Sequence, residues 1–277
     1  MNAKKIDHSL YRKIFDLVRQ KEWLESRDNQ LVTLLNTCDT DRQQALIFDL
    51  ISRFHYSGDI DLRRSAARIA EKISKEWKLS ALETRIVAIA DKDEADGSQF
   101  LTQALRQHFS RNEGWSSANF LSQITAIASF GPDIKNVVLV DDFVGTGTKI
   151  SRKFKWAEKK LGELGCKTEI YICSMAAMEA SKLVLNSLSG EYFSDIWLKK
   201  GISDHFEGDA LVNARSDMHE LEKKLDDLPS GYSFGFKESE SIFYQEPFNV
   251  PNNVFPIFWW DRWNTSEFEK PIFNRGA

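Results

Sequence analysis

Three cysteines, Cys38, Cys166 and Cys173, are all that the sequence carries, widely spaced and without a metal-ligand pattern. So sparse and odd a set excludes a disulfide framework and fits a reducing cytoplasm. No run of about 18 apolar residues is present to span a membrane. The start, Met1-Asn-Ala-Lys-Lys-Ile-Asp7, lacks the apolar core of a signal segment. An excess of one charge sign is lacking too. Basic residues number 37 and acidic residues 41, a net charge of −4, so any binding to nucleic acid has to be local. There is no internal repeat and no low-complexity linker. A nucleoside-triphosphate P-loop is also missing, because Gly145 and Gly147 stand too close together and Ile150, not Ser or Thr, follows Lys149.

What remains is an ordinary globular composition, 42% hydrophobic and 28% charged over 277 residues, with ample chain for a core. Residues 1–82 read as a helical docking or regulatory region. Leu10, Ile14, Leu17 and Val18 form one apolar stripe, and Leu62, Ala66, Ile69, Ala70 and Ile73 another. Between them, Thr40 to Gln43 reads as a capping box that opens a helix with Leu46, Ile47, Leu50, Ile51 and Phe54 inward. From residue 83 the pattern alternates. Arg85–Ala90 reads as a strand, 91–98 as an acidic loop, and Ser98 as the cap of the next helix. A further helix is expected around Asn119–Phe130. Strands then follow at 137–140, 168–174 and 194–198, with helices from 149, 180 and 209, and Gly231–Phe236 reads as strand-like. This order predicts an α/β fold with an open parallel sheet and a site at the strand C-terminal ends.

The chemistry concentrates at the strand Val137–Val140. Asp141 and Asp142 follow it, then the turn Gly145-Thr146-Gly147-Thr148, and then Lys149 opens an amphipathic helix with Ile150, Phe154, Ala157, Leu161 and Leu164 on one side. A helix N-terminus and a Gly/Thr loop offer N–H groups to a phosphate. Two carboxylates accept hydrogen bonds from ribose hydroxyls or hold hydrated Mg²⁺. The earlier loop, with Asp93, Asp96, Gly97 and Ser98, is a candidate pyrophosphate and Mg²⁺ loop. Because its acids repel pyrophosphate, that role requires a bridging Mg²⁺; a solvated acidic turn is the alternative. Lys149, Arg152, Lys153, Lys155, Lys159 and Lys160 form a basic run over 149–160. It reads as a solvated face or as a track for nucleic acid. The aromatic tail, Glu246 to Trp263, reads as a core-closing cap or a base-stacking segment, with Asn252, Asn253 and Arg262 as its notable polar residues.

Asp141-Asp142-Phe143-Val144-Gly145-Thr146-Gly147-Thr148 resembles the phosphoribosyl-pyrophosphate (PRPP) motif of type I phosphoribosyltransferases. It departs from that motif at Phe143, Gly145 and Lys149. Together with the helical N-terminus and the Pro-Asn-Asn-Val-Phe-Pro-Ile-Phe-Trp-Trp tail, it resembles the phosphoribosyltransferase-like effectors of bacterial antiphage systems, retrons included. That resemblance implies a domain over 83–277 with the tail as its cap. It implies PRPP as co-substrate and Mg²⁺ as cofactor. Asp141 and Asp142 would hold the ribose, with Gly145, Thr146, Gly147, Thr148 and Lys149 on the 5′-phosphate. It also implies a toxic glycosyltransferase restrained by partners, an ATPase or a reverse transcriptase with its DNA. Two alternatives stay open: a non-catalytic nucleotide- or PRPP-sensing module, and a nucleotide-hydrolysing toxin.

Overall fold

The computed structural model describes residues 8–92, 95–264 and 270–275; Asp93 lies outside them. The chain forms two compact units. One comprises Met1–Tyr56, Lys200–Tyr244 and Asn252–Ala277, and the other Ser57–Lys199 and Gln245–Pro251. The division therefore falls at 56/57, where the sequence reading put a boundary at 82/83.

The second unit holds the sheet. Its strands are β2 (Thr84–Ala88), β3 (Phe120–Leu121), β4 (Asn136–Val144), β5 (Glu169–Met178) and β6 (Glu191–Leu198), all parallel and in the order β3-β2-β4-β5-β6. A separate two-stranded sheet joins β1 (His55–Ser57) to β7 (Phe243–Gln245), so the first 82 residues are not helical throughout. The long central strands are apolar on both faces because both are covered, as parallel sheets require. Against one face, Val87, Val137, Leu139, Ile170 and Ile172 pack on Ile150, Phe154, Ala157 and Leu161 of α6 (Thr148–Glu163). Against the other, Ile86, Val138, Val140 and Cys173 meet Leu62, Ala66 and Ile69 of α4 (Asp59–Glu71) and Leu101 and Leu105 of α5 (Gly97–Arg106). Each fully buried Val, Leu, Ile or Phe among these contributes about 1.5–3 kcal/mol. This is the α/β architecture with an open parallel sheet that the sequence predicts.

Several local expectations are corrected. The strand does not stop at Val140: it runs on through both acids to Val144, with Asp141 opposite Ser174 and Phe143 opposite Ala176. Asn119–Phe130 is not a helix. The Asn119 amide donates to the carbonyls of Ala81 and Thr84 at 2.6 and 3.0 Å, drawing Phe120 and Leu121 beside β2 as an edge strand. A 3₁₀ turn, Ile124–Ser129, follows. Leu164 lies past the end of α6 and is exposed, since Gly165 turns left-handed there (φ +69°). The expected helix after β5 shortens to a 3₁₀ turn and α7 (Lys182–Leu185).

In the first unit α1 (His8–Gln20), α2 (Asp28–Asn36) and α3 (Asp41–Arg53) accompany α8 (Gly208–Glu222). Thr40 caps α3, its side chain accepting from the Gln43 N–H at 3.2 Å; the Gln43 side chain accepts from Asp39 rather than closing the box on Thr40. Gly231–Phe236 is no strand, because Phe234 and Gly235 both take left-handed φ, +56° and +77°. From Asn252 on, the tail is spent on this unit's own core, whereas its earlier residues belong to the sheet unit, where Phe248 packs on the core beside Phe100. Phe255 and Phe258 are fully buried, and the Trp259 indole donates to the Val254 carbonyl at 2.9 Å. The Asn253 amide donates to Ser239, and Arg262 pairs with Asp227. Among the described residues no helix is long and apolar enough to cross a membrane.

Candidate functional site

The two acids sit near the C-terminal end of β4, past its alternating apolar residues Val137–Val140. Asp141 is buried; Asp142 is partly exposed and lies against the start of α5. The α5 N-terminus comes up against this point. Its cap is Asp96, not Ser98: the Asp96 carboxylate accepts the Ser98 N–H at 2.9 Å. Gly97 follows, and a Cβ there would overlap the carboxyl of Asp142, so only glycine permits this approach. Ser98 is buried, and its hydroxyl has no hydrogen-bond partner among the described residues.

The loop after β4 is short. Gly145 is buried, the Thr146 and Thr148 hydroxyls lie 3.0 Å apart, and Gly147 takes a left-handed turn (φ +76°) to start α6. A side chain at 147 would also press on Val184 of α7, 2.9 Å away. Gly147 supplies no side-chain cap to α6, unlike Asp96 at α5. A helix start without an N-cap side chain is one at which backbone N–H groups can receive an anion.

Two lysines on α6 reach back to the acidic loop. Lys149 pairs with Asp96, and Lys153, one turn on and almost fully buried, pairs with Asp91 at 2.5 Å. Lys159 and Lys160 both face Glu163. The basic run is therefore not a continuous solvated track, since four of its six cationic groups are engaged inward or along the helix. The pairing of Lys153 with Asp91 is not legible in the sequence. The available signal was position: 153 falls between Ile150 and Ala157 on the buried stripe.

Carboxylate oxygens of Asp96, Asp141 and Asp142 lie within 4.8 Å of one another. Burial pushes Asp141 well above the usual carboxylate range, with its acidic neighbours adding to the shift and Lys149 opposing it. Burial and Asp96 raise Asp142 to about 6. Burial would raise Asp96 as well, but the Lys149 ammonium and Ser98 hold it below its ordinary value. Asp141 Oδ1 is buried with no hydrogen-bond partner among the described residues. An all-oxygen donor set with one orphaned atom, beside a glycine that leaves room, fits a hard cation such as Mg²⁺. Asp93 lies outside the described residues and cannot be added to this set.

The sequence pattern of one protein family, described as PRTase-CE, matches residues 21–275. Among solved structures, a xanthine-guanine-hypoxanthine phosphoribosyltransferase of Helicobacter pylori is 14% identical over 52% of this chain and 84% of its own, with a TM-score of 0.36. A hypothetical protein of Neisseria gonorrhoeae with bound ppGpp is 16% identical over 53% of this chain and 85% of its own, with a TM-score of 0.34. No curated protein matches.

Proposed function

Since the chain belongs to the PRTase-CE family, we propose that the acid pair and loop at the end of β4 form a PRPP site, and that the protein is a phosphoribosyltransferase-like effector of antiviral defence. The observation that carries this reading is the juxtaposition of buried Asp141, Asp142 and the two helix N-termini at one strand end. Asp141 and Asp142 accept hydrogen bonds from the ribose hydroxyls. Thr146, Gly147 and Thr148 present hydroxyls and N–H groups to the 5′-phosphate. Asp96, Gly97 and Ser98 stand on the pyrophosphate side, with Asp96, Asp141 and Asp142 as the residues that would hold Mg²⁺. Bound there, the metal supplies positive charge for a departing pyrophosphate. Bond cleavage at the anomeric carbon builds positive charge on the ring, which the nearby carboxylates favour electrostatically. In the defence setting the partners are an ATPase or a reverse transcriptase with its DNA, and the acceptor is a nucleotide or nucleic acid.

The test is calorimetric titration with PRPP, with and without Mg²⁺, beside the Asp141→Ala/Asp142→Ala double variant. Mg²⁺-dependent binding lost in the variant is the expected result; equal binding by both chains would sink the assignment. The ion pair between Lys149 and Asp96 favours one rival, a module that senses PRPP without turnover. That rival predicts binding with no pyrophosphate release in the presence of any acceptor.

A further inference from the structure

Lys149 occupies an unexpected place for a residue at a phosphate loop. It lies in the first turn of α6, where the helix dipole disfavours a cation. Its ammonium is committed to Asp96, the cap of α5, and its charge also acts on Asp141 and Asp142. The three carboxylates and this one ammonium thus form a single charge cluster. The cluster is not closed, because Asp141 Oδ1 stays buried and unpartnered within it. The lysine side chain is 39% exposed and its stem is flexible, so the ammonium has room to move. One turn further on, Lys153 and Asp91 tie down the other end of the acidic loop independently.

We propose that Lys149 is an exchangeable internal cation: it neutralises the Asp96–Asp141–Asp142 cluster in the ligand-free protein and is displaced by a divalent cation. The released ammonium then serves the phosphate held by the Thr146–Thr148 loop. This rests on the PRPP reading for the second position of Lys149, but not for the first. Displacement makes cation and phosphate binding mutually reinforcing, since each removes a cost of the other. A divalent cation alone binds weakly because it competes with a tethered ammonium.

The probe is Mn²⁺, titrated calorimetrically into the full chain and into its Lys149→Met and Lys149→Arg variants. Removing a unit charge beside the cluster is expected to tighten Mn²⁺ binding by about tenfold or more in K149M, with K149R within about twofold of the parent. Unchanged or weaker binding in K149M overturns the exchange, as does equal tightening in K149R or no Mn²⁺ uptake by any chain. A second measurement needs no variant. In the parent chain, saturating Mg²⁺ should speed acetylation of Lys149 relative to Lys153, read by mass spectrometry, and an unchanged ratio rejects displacement. PRPP titration of Asp142→Asn separates the two ideas. If PRPP binds D142N as tightly as it binds the parent, the sugar-site reading fails while the Mn²⁺ comparison still decides the exchange.

Discussion

A methyl group at position 97 would fall on the carboxyl of Asp142. Gly97→Ala should therefore weaken PRPP binding by about tenfold or more while leaving most of the stability, because α5 itself accepts alanine readily. Titration beside a thermal melt checks the split, and a parallel loss of both would show that residue 97 only supports the fold. Protonation acts on the same carboxyl. With Asp142 raised to about 6 by burial and Asp96, Mg²⁺-dependent binding should strengthen as pH rises through that value. A titration series across that range measures it, and a flat profile would remove Asp142 from the cation site. The two acids and the Gly/Thr turn were legible because their residue types at that spacing have few other uses. The partners of the lysines were not. Lys149 and Lys153 find acids more than 50 residues away in sequence, and nothing local records a pairing that only the sheet brings about.

Among whole elements, α8 carries the clearest stability prediction. Glu222 is buried, accepting from the Ser233 hydroxyl at 2.6 Å and the Phe234 N–H at 2.9 Å, and burial raises it to about 7 against those bonds. The folded state thus holds this proton more tightly than the unfolded state does. Stability from this group is full below about 4.5 and falls as pH rises toward 7. Glu222→Gln should flatten that decline, which melting temperatures of the two chains across this range would reveal. At α3, Thr40→Ala should cost about 1 kcal/mol through the lost cap on Gln43, measured by urea unfolding. The helices α3, α4 and α6 were legible from apolar spacing alone. The 119–130 segment was not, since Asn119 settles it through bonds to backbone carbonyls of Ala81 and Thr84. Likewise the aromatic pattern of 231–236 resembles a strand, and the left-handed φ of Phe234 and Gly235 breaks it.

Across the whole molecule, the position of α4 matters most. A split at 82/83 would remove it from Ile86, Val138 and Cys173, leaving one sheet face bare. A fragment of residues 57–199 should therefore melt cooperatively by circular dichroism, whereas 83–199 should not; cooperative melting of the shorter piece would contradict this packing. The sheet was readable as a sequence of elements, but the allegiance of α4 was not, because an amphipathic stripe does not say which surface it covers.

The interleaving of the two units also orders their birth on the ribosome. Everything the sheet unit needs apart from Gln245–Pro251 has been synthesised once Lys199 emerges, so its core can set early. The other unit begins first in the chain yet must wait, with α1, α2 and α3 already made, for Lys200–Tyr244 and the aromatic tail to arrive. Nascent chains arrested before the tail would carry a nearly complete sheet unit, together with helices of the other unit still lacking Phe255 and Phe258, the side chains that a chaperone for hydrophobic surfaces would in the meantime replace.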